Sequence, residues 1–84
     1  MAGRKNNTET DKLYALNLGI LIREMRVRQA YSVSSLAEAL ETDRQVVYQW
    51  ERGASTPRAA QLGFLGQVLP GFLEKFSQLT TSIY

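Results

Sequence analysis

The chain has 84 residues, 44% of them hydrophobic, which is enough for one compact core and too few for two. It contains no cysteine and no histidine, which excludes disulfides, thiolate chemistry, the usual zinc ligand sets and the commonest general base. The net charge of +2 is a mild basic balance that permits nucleic acid as a partner without requiring it.

Residues 1–10 carry Gly3, Asn6 and Asn7 with no apolar periodicity and read as a flexible N-terminal arm, with Arg4 and Lys5 on it. A first helix is expected from about Asp11 to Gln29, capped by Thr10 or Asp11. It has apolar residues at Leu13, Leu16 and Ile20 and an adjoining stripe at Leu18, Ile22 and Met25. Gly19 lowers helix propensity there, and either permits a close helix contact or marks a break. Ser32 is a good N-cap for a short second helix, about Val33 to Leu40, which buries Leu36, Ala37 and Leu40. Glu41-Thr42-Asp43 interrupts the pattern. Asp43 can then cap a third helix that turns Val47 and Trp50 inward and stops at Gly53. After the Ala54-Ser55-Thr56 loop, Pro57 suits the first position of a fourth helix reaching Leu69, with Leu62, Leu65, Val68 and Leu69 on its apolar side. Pro70 and Gly71 break it. A fifth helix is expected from about Gly71 to Leu79, with a polar tail over 80–84. No stretch alternates as a strand would, so the fold class is all-α with five helices, and one domain spans 11–79.

Three blocks of this sequence fit one pattern. Leu18-Gly19 is followed by Ile22, Met25 and Arg26; Tyr31-Ser32 is followed by Leu36-Ala37; and Val47-x-x-Trp50-Glu51-Arg52-Gly53 is followed by Pro57. In order and spacing, Leu18 to Leu69 resembles the phage repressor and Cro family, also called the XRE family, of helix-turn-helix DNA-binding domains. The resemblance implies a lambda-repressor-like fold in which helices two and three, over about 32–53, form the helix-turn-helix. It also implies an ion pair between Arg26 and Glu51 that ties the first helix to the end of the recognition helix. Two positions depart from the family pattern. Glu41 stands where the family usually has glycine with positive φ, and Val33 replaces a glutamine often found at the start of helix two.

In such a unit the third helix lies in the major groove of double-stranded DNA. With Val47 and Trp50 turned inward, Arg44, Gln45, Tyr48, Gln49 and Arg52 point outward. Arginine pairs with guanine O6 and N7, and glutamine with adenine N6 and N7. Arg44, Gln45 and Gln49 occupy the positions that, by resemblance, make base contacts, with Tyr48 next as a contact to a thymine methyl or a phosphate. Phosphate contacts are expected from the backbone of Val33 and Ser34, the Ser34 hydroxyl, Arg52, Ser55, Thr56 and, foremost, Arg58. Arg4 and Lys5 are a weaker candidate pair for an adjacent minor groove.

The expected function is sequence-specific transcriptional regulation, as a repressor binding a palindromic operator as a homodimer. Phe72, Leu73, Phe76 and Leu79, with Ile83 and Tyr84 beyond them, are the dimer candidates, although packing of the last helix into the core suits the two phenylalanines nearly as well. The alternative is a helix-turn-helix antitoxin or adaptor whose main partner is another protein. An enzyme is not expected, because the carboxylates are scattered singly along the chain, and neither a metal nor a cofactor is implied. No apolar run approaches the ~20 residues of a membrane span and the N-terminus has no apolar signal core, so the expected location is cytoplasmic.

Overall fold

The computed structural model describes residues 2–83, with side chains over 9–82. Five α-helices follow one another: α1 (Ala2–Arg28), α2 (Val33–Ala39), α3 (Arg44–Glu51), α4 (Ala59–Val68) and α5 (Phe72–Ile83). There is no strand among the described residues. None of these helices is long and apolar enough to cross a membrane.

The core is formed where all five elements meet. Leu18, Ile22 and Met25 of α1 pack with Leu36, Ala37 and Leu40 of the α2 region, Val47 and Trp50 of α3, Leu65 and Leu69 of the α4 region, and Phe72 of α5. Full burial of each large side chain contributes about 1.5–3 kcal/mol, so these few residues hold the domain together. Pro57 is buried as well, two residues ahead of α4. It therefore does not open the helix as expected. Arg58 is the N-cap, and Gln61 Oε1 accepts from its backbone N–H at 2.8 Å.

Both ends of the chain are more helical than expected. Helix α1 starts at Ala2, so the segment expected to be a flexible arm forms its first turns. No proline lies before Asp11, and lengthening an existing helix needs no new nucleation. The 27 residues of α1 span about 40 Å at 1.5 Å per residue, close to the 42 Å longest dimension of the chain. At the other end, α5 takes in Thr80, Thr81 and Ser82. Their polarity had read as a tail, but the Thr80 and Thr81 hydroxyls each donate to the Ser77 carbonyl at 2.9 Å, which is how threonine is accommodated inside a helix.

The two apolar stripes of α1 have different fates. Leu18, Ile22 and Met25 are in the core, whereas Leu13, Leu16, Ile20 and Val27 are between 50% and 59% exposed. Residues two apart on a helix point roughly 200° apart, so the stripe through Ile20 lies opposite the one through Leu18 rather than beside it. Two of the dimer candidates pack within the chain itself. Phe72 is fully buried, and Phe76 packs against it at a ring separation of 6.1 Å and edge-on to Tyr14 at 6.2 Å. The Phe76 ring thus sits between Tyr14 of α1 and Phe72 of α5. Leu73 is 49% exposed, Leu79 lies at the rim of the core, and Tyr84 and the Ile83 side chain fall outside the described residues.

Helices α1, α2 and α3 end in the same way. Tyr31 N–H donates to Arg26 O at 2.9 Å, Thr42 N–H to Ala37 O at 2.9 Å, and Ala54 N–H to Gln49 O at 2.9 Å. Each bond closes over a residue in the left-handed region: Ala30 (φ 65), Glu41 (φ 55) and Gly53 (φ 76). This is the Schellman ending, for which glycine is the usual residue. A side chain in that region costs roughly 1–2 kcal/mol. The departure at Glu41 is therefore real in the backbone, and the turn keeps its geometry at that cost. Glu41→Gly is expected to raise stability by about 1 kcal/mol with the same DNA preference, measured by thermal unfolding beside a binding titration. An unchanged or lower melting temperature would show that Glu41 makes a compensating contact.

Candidate nucleic-acid interface

The helix-turn-helix begins with a strong cap. The Ser32 hydroxyl accepts from Ser35 N–H at 3.0 Å, and Ser35 Oγ accepts from Ser32 N–H at 2.9 Å. This is a reciprocal box in which serine stands where glutamate or glutamine is usual. It fixes where α2 starts and leaves Ser34 exposed on its first turn. Val33 is partly buried against the core, so its contribution to any phosphate contact is confined to its backbone.

Helix α3 is amphipathic in the simplest way. Val47 and Trp50 are buried, while Arg44, Gln45, Tyr48, Gln49 and Arg52 at its C-cap are all exposed. These five residues, singled out from the sequence, thus share the solvent side of one element. The loop that follows is anchored to it, because Gln49 O accepts from both Ala54 N–H (2.9 Å) and Ser55 N–H (3.4 Å). Ser55, Thr56 and Arg58 are exposed on and just after that loop. Arg4 and Lys5 lie on the first turns of α1, and their side chains fall outside those described.

The orientation of α3 is set from behind. Arg26 Nε donates to Glu51 Oε2 at 2.6 Å and Nη2 to Glu51 Oε1 at 3.1 Å, the two-pronged geometry that makes arginine–carboxylate pairs strong. Nη1 donates to the Tyr31 carbonyl at 3.0 Å, so the same guanidinium also holds the end of α1. The hydrogen bond to Glu51 raises the Arg26 pKa above its ordinary value, against the opposing effect of burial. The side chains are 13% and 9% exposed. That places the pair nearer the buried class, where breaking it is costly, than the surface class worth almost nothing.

Gly19 supplies the second constraint. A Cβ there would press into the carbonyl oxygen of Trp50 and sit 2.9 Å from that of Glu51. Glycine is present because α1 crosses the back of α3 backbone to backbone, which decides between the two readings of this position. The sequence missed three supports of the site: the Tyr31 carbonyl as an arginine acceptor, Ser35 as the second half of the cap, and Ala30 in the left-handed region. A backbone acceptor has no residue-type signal, and an alanine gives no hint of positive φ. Ser35 three residues after Ser32 was the one readable clue.

A helix-turn-helix family model matches residues 22–70, more than half of the chain and the whole span from the last two turns of α1 to just past the end of α4. The chain belongs to the XRE/Cro-type helix-turn-helix family. No curated protein and no solved structure matches. Membership of this helix-turn-helix family carries the fold, all-α and lambda-repressor-like, and implies DNA binding in a family that is typically non-enzymatic. Among the described residues no three acidic side chains converge as a metal site would require. The match starts at Ile22, so most of α1, with the exposed Leu13, Leu16 and Ile20, lies outside the matched span.

Proposed function

We propose that this helix-turn-helix protein is a sequence-specific transcriptional regulator, a repressor that binds a palindromic operator as a homodimer through α3. The observation that carries the reading is the division of α3 into two faces. Arg44, Gln45, Tyr48, Gln49 and Arg52 are exposed together, while Val47, Trp50 and the Arg26–Glu51 pair hold the opposite side in place. A reading helix needs both, because side chains select bases only when the helix carrying them keeps one orientation.

In this reading Arg44, Gln45 and Gln49 contact base edges and Tyr48 a thymine methyl or a phosphate. Ser34, the backbone at Val33 and Ser34, Arg52, Ser55, Thr56 and Arg58 contact phosphates and set the register. Two copies would place their α3 helices about one turn of DNA apart, ~34–36 Å. Leu73, Phe64 and the exposed stripe of α1 are apolar surfaces open to a second copy. The same α1 stripe is what supports the alternative, an antitoxin or adaptor that binds a different protein.

Two substitutions separate reading from anchoring. Gln49→Ala is expected to relax the preference at one base pair and cost about 1–3 kcal/mol on the preferred site, while Arg58→Ala weakens all sequences alike and lowers the salt slope by about 1. Fluorescence titration on the preferred and a scrambled duplex, over a series of salt concentrations, measures both. The reverse pattern would overturn the assignment.

A further inference from the structure

The N-cap residue of the recognition helix is uncommitted. Asp43 takes the N-cap position of α3, with φ −83 and ψ 148, but its carboxylate makes no capping hydrogen bond. Its counterpart Ser32 makes both bonds of a capping box at the start of α2. The ion pair found among the described residues is Arg26–Glu51, so Asp43 is not neutralised by a neighbouring cation. Its side chain is exposed beside Arg44 and Gln45. With Ser34, Glu38 and Thr42 it lines the cleft between α2 and the start of α3.

A free carboxylate in this place has few favourable partners on DNA. Phosphates repel it, and so do guanine O6 and N7 and thymine O4, which are all acceptors. It can accept a hydrogen bond from cytosine N4 or adenine N6, and in adenine the neighbouring N7 is again an acceptor. Cytosine is therefore the base edge that fits best. We infer that Asp43 selects bases, accepting a hydrogen bond from the N4 amine of a cytosine next to the base pairs read by Arg44 and Gln45, and disfavouring guanine or thymine there. The inference rests on the reading that α3 enters the major groove by its N-terminus. It also gives the carboxylate a cost, since a negative charge near phosphates weakens binding wherever the amine is absent.

The test enriches random duplexes against the wild-type protein and against Asp43→Asn at one salt concentration. Asparagine caps a helix as well as aspartate, so the variant keeps its fold, which a thermal melt verifies. The wild type is expected to select cytosine at one position. In the variant that preference falls by roughly ten-fold, the other positions keep theirs, and binding to unrelated DNA tightens. Identical preferences in the two proteins would overturn the inference while leaving the α3 reading intact. Enrichment of no sequence by the wild type would overturn both.

Discussion

Gly19→Ala is expected to destabilise the domain by about 2 kcal/mol or more, although alanine is the better helix former. Propensity alone predicts a gain of about 1 kcal/mol in a helix interior. The geometry outweighs it, because the new methyl would meet the backbone carbonyls of Trp50 and Glu51. These are not the ends of flexible side chains, so relief requires moving α1 and α3 apart and opening the core around Trp50. Overpacking of this kind costs about 1–3 kcal/mol, occasionally more. A small domain holds only some 5–10 kcal/mol in total, so the loss should appear as a clear drop in the urea midpoint. DNA affinity should fall with it, since α3 loses its backing. A neutral or stabilised Gly19→Ala protein would mean that the two helices are not in backbone contact.

The Arg26–Glu51 pair gives the second large effect. Removing either partner alone, by Arg26→Leu or Glu51→Leu, is expected to cost about 3 kcal/mol, because the remaining charge is left in a site largely closed to water. The double variant should be less destabilised than the sum of the two, since it leaves no orphaned charge. The Arg26 pKa is raised by its bond to Glu51. For a base with a raised folded-state pKa, the stabilisation is fully present below the unfolded value and is lost only as pH rises through the folded one. Raising pH from neutral to mildly alkaline should therefore leave this contribution unchanged. Additive single effects of a few tenths of a kcal/mol, measured in a denaturant double-mutant cycle, would reduce the pair to an ordinary surface contact.

The sequence was most informative where periodicity and capping chemistry coincide. Ser32, Leu36 and Ala37 place α2, and Val47 and Trp50 give α3 its inward face, so the exposure of Arg44, Gln45, Tyr48 and Gln49 follows from helical geometry alone. It was least informative where the outcome depends on a neighbour. Leu13, Leu16 and Ile20 have the spacing of a core stripe, yet each stays about half exposed on the side of α1 away from the core. Polar runs at the two ends gave no sign that α1 reaches back to Ala2 or that α5 continues to Ile83, because helices already nucleated can absorb such residues at little cost. Phe72 and Phe76 were ambiguous for the same reason in reverse, since an aromatic stripe suits a core or a subunit interface equally until the position of α1 is known. Asp43 was expected to cap because of its residue type. It holds the position without making the bond, a difference of side-chain geometry to which residue type is blind.

The exposed face of α3 is proposed to read DNA sequence. The most direct test is a competitive titration of the purified protein at fixed salt, setting the duplex that it enriches from a random pool against a scrambled duplex of the same composition. The enriched duplex is expected to bind at least ~10³ times more tightly, and Gln49→Ala to erode that ratio. Equal affinity for the two duplexes, fading together as salt is raised, would contradict it.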